Sequence, residues 1–157
     1  MIRALVPLAL FANGIAAGVM LGNAIGLGAL VPRLSYGRYV DLIKFMWPRY
    51  DPILPILNVL AFGLDIAIVV AVHGEPGGSG AVGLFGLSAA LLAVLMVISV
   101  TKNVPMNKYV TALDPANPPD DWPERDPRAS WTKWNQVRVA LSLAALIGSL
   151  AGAAVLL

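Results

Sequence analysis

Trp131, Trp134, Asn135 and Arg138 stand together at the opening of the last apolar stretch of the chain. Three- and four-residue steps put side chains on one helical face. Trp131, Trp134 and Arg138 should therefore present two indoles and a guanidinium side by side, a set suited to holding a flat, anionic, aromatic molecule by stacking and charge. The competing reading is that the same residues only anchor a helix at a membrane surface. Asn13, Asn23, Asn58, Asn103 and Asn107 lie inside apolar runs or at their ends, where lipid offers an amide no partner. Counting about 1.5 Å per residue from the ends next to the basic loops, Asn23 is roughly 12 Å deep and Asn58 roughly 8 Å deep, so they are expected to share one polar pocket. Interhelical glue, at about 0.6–2 kcal/mol per bond, is the alternative for each. Asp65 is the only acidic residue inside an apolar run. It reads as a proton acceptor or donor, or alternatively as an aspartate that locks two helices together.

Other chemistry is poorly supplied. There is no cysteine, which excludes disulfides, thiolate metal sites and a cysteine nucleophile. His73 is the lone histidine, with only Glu75 near it, and neither fits a recognised ligand spacing, so no metal and no cofactor is expected. No phosphate-binding glycine loop, serine–histidine–acid arrangement or dinucleotide fingerprint is present.

The elements that must position these residues are membrane spans. The chain is 58% hydrophobic and 13% charged with a mean hydropathy of +0.75, too apolar for a domain that must stay in water. Hydropathy puts spans at about 4–31, 53–72, 81–101 and 134–157, each near the ~20 residues a bilayer requires or longer. The third is expected to stop at Thr101–Pro105. A cleaved leader is disfavoured, because the first run, roughly 28 residues, exceeds the usual 7–15-residue signal core. The fold class is all-α: a single membrane domain, a four-helix transmembrane bundle with a short interfacial helix between spans one and two.

Arg33, Arg38, Lys44 and Arg49 lie between spans one and two, and Lys102, Lys108, Arg125, Arg128 and Lys133 between spans three and four; the loop between spans two and three has no Lys or Arg. The positive-inside rule then makes loops 32–52 and 102–133 cytoplasmic and both termini extracytoplasmic, with Arg3 the one dissent. These basic residues are explained by membrane orientation, and no nucleic acid is expected as a partner. Tyr36, Tyr39, Val40, Ile43 and Trp47 give the first loop an amphipathic period, either a plain interfacial anchor or a lid or doorway on the lipid side. Asp114–Pro123, rich in proline, should be an ordered cap or a mobile flap. Gly14, Gly18, Gly22 and Gly26 form a stripe that lets a backbone approach closely, whether of another span or of another protomer in a homo-oligomer.

Asn103-Val104-Pro105-Met106-Asn107, followed by Trp131-Thr132-Lys133-Trp134-Asn135-Gln136-Val137-Arg138, resembles the anthrone oxygenase-like family of small four-helix membrane proteins. The likeness covers nearly the whole chain. It implies oxidation of anthrones to anthraquinones without an established cofactor. It also implies Asn103, Asn107, Trp134, Asn135 and Arg138 as site residues, with Pro105 shaping a turn between the asparagines. An anthrone loses a proton readily and its anion reacts with dioxygen, so a protein need only deprotonate, orient and shield it. On this expectation Arg138, Asn103, Asn107 and Asp65 are catalytic, while Trp134, Asn135, Asn23, Asn58 and Trp131 bind a small lipophilic aromatic substrate. The alternative is a non-catalytic membrane subunit or a carrier of small molecules or lipid.

Overall fold

The computed structural model describes residues 2–156, and every regular element among them is helical. Helix α1 (Ile2–Leu30) continues through a 3-10 turn (Val31–Arg33); α2 (Tyr36–Tyr50) lies across the basic end; α3 (Ile53–Val72) and α4 (Ser79–Ile98) form a hairpin. A π-helical turn (Ser99–Asn103) joins α4 to α5 (Val104–Thr111), and a short α6 (Trp122–Arg125) precedes α7 (Arg128–Leu156). Four stretches, Ile2–Arg33, Ile53–Val72, Ser79–Thr111 and Trp122–Leu156, are long and apolar enough to cross a membrane. The protein is an integral membrane protein by that measure.

The spans pack in a closed ring, α1 against α3, α3 against α4, α4 against α7 and α7 against α1. Each neighbour runs antiparallel to the next because the connections alternate between the two ends. The α3–α4 connection is short enough to need Gly74 and Gly77 at φ of +84° and +80°, which a side chain would resist. Along α3 the buried positions are Leu54, Asn58, Ala61, Asp65, Ile68 and Val72, the alternating three- and four-residue steps of a bundle seam.

Two expectations about helix limits are corrected. The third span does not stop at Thr101–Pro105; it runs on through the π turn into α5. Pro105 has no N–H and its ring crowds the carbonyl four residues back. A π turn just before it widens the helix locally and relieves that conflict without ending it, so Pro105 shapes a bulge where a turn between the asparagines had been expected. The last helix begins at Arg128, nearly two turns before Trp134. Hydropathy misses that start because it is polar: Asp126 accepts from the Arg128 backbone N–H at 3.0 Å and holds the Arg128 guanidinium as well.

The proline-rich loop is an ordered cap. Tyr36 Oη donates to the Asp114 carbonyl at 2.8 Å and Lys44 Nζ to the Leu113 carbonyl at 2.6 Å. A Cβ on Gly37 would sit 2.6 Å from the Pro115 oxygen, so only glycine allows α2 this close. The Asp114 carboxyl is held below the usual range by the Ala116 N–H and the Asn117 amide, which fix the turn. Under the cap, Tyr39, Val40 and Ile43 of α2 pack with Val110, Trp122 and Trp131. The apolar face of α2 is thus spent on protein, and burial pushes the Tyr39 phenol above its ordinary pKa.

The glycine stripe of α1 is open. Among the described residues a Cβ at Gly14, Gly18, Gly22 or Gly26 would meet nothing within 4 Å, so the stripe is not the contact between spans. The face of α1 that enters the bundle carries Ala9, Ala12, Ala16 and Ala17. The closest glycine contacts between spans are those of Gly148 and Gly152 of α7 against α4.

Candidate functional site

Where α2 turns into α3, the helices part and leave a chamber of about 240 Å³ between α1, α2, α3, the π turn and α7. An apolar cavity of roughly 150 Å³ holds one benzene ring, so this space suits a ligand of more than one ring. Met20, Leu27, Ile43, Met46, Trp47 and Met96 supply apolar wall. Asn23, Asn58, Asn103, Asn107, Trp131, Asn135 and Arg138 supply the polar groups. Seven of the nine residues singled out from sequence therefore line one cavity.

Each is delivered by a helix-level cause. On α7, Trp131, Asn135 and Arg138 fall within about 60° of arc at about 100° per residue, and all face the chamber. Asn103 and Asn107 are brought to the same wall by the π turn, which keeps both asparagines on the helix side that looks at α7. Trp131 Nε1 donates to Asn107 Oδ1 at 3.1 Å, fixing the indole and the amide against each other. Asn58 Nδ2 donates back to the Leu54 carbonyl at 2.9 Å and leaves its Oδ1 free.

The side chains that remain are polar without partners. Asn58 Oδ1, both amide atoms of Asn103, Asn135 Nδ2 and Arg138 Nε are sequestered from solvent, and no group of the described residues bonds them. Leaving a buried polar group unmade costs about 1–3 kcal/mol. Five such atoms lie around this one cavity, where the polar edge of a ligand can meet them. Arg138 forms no ion pair with any described residue.

Two expected members are elsewhere. Trp134 is half-buried and does not line the chamber. It lies about 60° round the helix from Trp131, on the side away from Asn135, and stacks beneath Lys102 Nζ at 5.5 Å with Lys133 Nζ at 6.0 Å. The three- and four-residue rule put it on the edge of the face and could not say which side the edge turned. Asp65 is fully buried two turns deeper than Asn58. Ser88 Oγ donates to it at 2.6 Å and Ser149 Oγ lies 3.3 Å from both its carboxyl oxygens; Asn13 Nδ2 reaches Ser149 Oγ at 3.4 Å. Asp65 thereby ties α3 to α4 and α7, the helix-locking alternative.

Sequence reasoning missed Tyr50 and Asp51, which close the chamber where α2 ends. The signal was present in Asp51-Pro52: the residue before proline is driven off helical geometry, and Asp51 leaves the helix at φ −90°, ψ 46°. No three His, Asp or Glu side chains among the described residues gather as metal ligands, and His73 is exposed at the far end.

A second, shallower groove of about 760 Å³ runs between α1, α2 and the start of α3. It shares Asn23, Leu27, Met46, Tyr50 and Leu54 with the chamber, and exposed Phe45 and Ile53 flank it. The chamber and the groove thus share a wall where α1, α2 and the start of α3 meet.

Comparison with protein families matches residues 47–148 to the family described as Anthrone oxygenase. That segment holds every chamber residue named above except Met20, Asn23, Leu27, Ile43 and Met46. No curated protein and no solved structure matches the chain.

Proposed function

The chain belongs to the anthrone oxygenase family, and from that premise we propose that it oxidises a lipophilic aromatic substrate of anthrone or phenolic type, using dioxygen inside the chamber. The observation that carries this reading is the group of unpartnered polar atoms on Asn58, Asn103, Asn135 and Arg138 around an apolar cavity. Arg138 stabilises the oxygen that becomes negative when the substrate loses a proton. Asn103 and Asn135 hydrogen-bond the ring oxygens, and Asn107 holds Trp131 as an apolar wall beside the rings. Asn23 and Asn58 shape the inner floor. The substrate's own reactivity as an anion supplies the electrons, so the reading calls for no metal or other cofactor.

Such a substrate dissolves in lipid, and the groove between α1 and α2 provides its way in without crossing water. The basic loops put the chamber at the cytoplasmic side with both termini outside. The open face at Gly14, Gly18, Gly22 and Gly26 suits a second copy of the chain. A reporter fused to the C-terminus should read as extracytoplasmic, and cross-linking along α1 in membranes reports the self-contact.

The deciding experiment is oxygen uptake by the purified protein in detergent with an anthrone, corrected for spontaneous oxidation. The expected result is catalysed uptake of one dioxygen per quinone formed. Quinone or anthrone binding without turnover would replace the enzyme with a carrier of small aromatic molecules.

A further inference from the structure

Resting on the oxygenase reading above, we infer that Asp51 is the base that takes the substrate's proton. Among the described residues that line the chamber, it is the only carboxylate, and Arg138 is the only cation. The two face one cavity without forming an ion pair. Opposite charges that line one cavity unpaired can act on one substrate, the first as an acceptor for its proton and the second as a donor to its oxyanion.

The position of Asp51 has a local cause. Its backbone N–H closes α2 by donating to the Trp47 carbonyl at 2.9 Å, and Pro52 then turns the chain into α3. The carboxylate is therefore held at a helix junction by two backbone constraints and does not hang from a mobile loop. It is half-buried, so it can pass a proton on to water. Asp65 lacks that property: it is fully buried, and two hydroxyls occupy its oxygens in a separate network.

The chemistry balances with dioxygen as oxidant. Asp51 takes a proton from the methylene carbon opposite the anthrone carbonyl. The C–H electron pair moves through the ring to the carbonyl oxygen, which faces Arg138. The anion gives one electron to dioxygen, and the resulting radical pair joins to form a carbon–oxygen bond. Protonated Asp51 returns its proton to the outer oxygen, giving a hydroperoxide. Asp51 then removes the second hydrogen of the same carbon as a proton. That C–H pair becomes the new carbonyl bond, the O–O bond breaks, and the departing hydroxide takes the proton and leaves as water. The methylene gives up four electrons, and dioxygen accepts four.

The test uses the full chain in detergent with an anthrone, and anthraquinone as a binding probe that quenches chamber tryptophan fluorescence. Asp51→Asn should lower catalysed oxygen uptake at least about a hundredfold while anthraquinone binding is kept, and Asp51→Glu should recover turnover. Formate should restore part of the activity of Asp51→Ala, and a substrate deuterated at the methylene should show a larger isotope effect in Asp51→Glu than in wild type. Turnover of Asp51→Asn equal to wild type would overturn the inference and leave the oxygenase reading intact. So would joint loss of binding and turnover that formate does not mend, since Asp51 would then be structural. A wild type that binds anthraquinone and consumes no oxygen removes the oxygenase reading and this inference with it.

Discussion

Arg138→Met should lower catalysed oxygen uptake by about 10²–10³-fold, the usual loss when one preorganised oxyanion donor is removed, and should leave thermal stability unchanged or slightly higher. The two halves of that expectation have one cause. Arg138 lines the chamber, and among the described residues its Nε has no hydrogen-bond partner and no carboxylate forms an ion pair with it. Holding such a charge there works against folding, and replacing it by an apolar side chain of similar length is commonly neutral or stabilising. A residue kept against its own contribution to stability is kept for what it binds. Oxygen uptake and thermal unfolding of the same preparation decide the matter. A variant that unfolds at lower temperature and turns over normally would make Arg138 a structural strut and take the oxyanion role from it.

The four spans were legible because bilayer thickness sets a length that composition alone reveals, and α2 was legible because Tyr39, Val40 and Ile43 recur on a helical period. The asparagines were legible for a related reason: an amide in an apolar run needs a partner, and Asn23, Asn58, Asn103, Asn107 and Asn135 meet at one level of the bundle. Less visible were features set by the third dimension. Asp65 and Asn58 share the buried face of α3, but sequence does not say that Ser88 and Ser149 arrive beside the first and a cavity beside the second. Trp134 shares three- and four-residue spacing with Trp131 and Arg138, yet a face as wide as a helix side can be split by the neighbour it meets, and here Asn135 is inside the split and Trp134 outside it. Pro105 reads as a stop because a proline usually is one; the π turn ahead of it, packed against α4 and α7, lets the helix run on. Sequence does not mark Asp51, because it sits outside every apolar run, where an acidic residue carries no signal without its cavity.

Glycine gives the second large expected effect, and the sign depends on which glycine is changed. Gly152→Ala should destabilise the bundle by about 1–3 kcal/mol, whereas Gly18→Ala should stabilise it by up to about 1 kcal/mol. Both substitutions gain the same helix propensity. At Gly152 the new Cβ would lie 2.8 Å from two ring carbons of Phe85, which is fully buried and packed with Val6, Ile68 and Ala153. The ring cannot swing away, so α4 and α7 must separate at their most extensive contact. At Gly18 the Cβ meets nothing within 4 Å among the described residues, so within one copy of the chain only the propensity term is left. The chamber lies about four turns of α7 from Gly152, so turnover of Gly152→Ala at low temperature should match wild type while its thermal midpoint falls. Equal midpoints for the two variants would mean that α4 and α7 do not approach at Gly152, and the packing that positions Trp131, Asn135 and Arg138 would need another source.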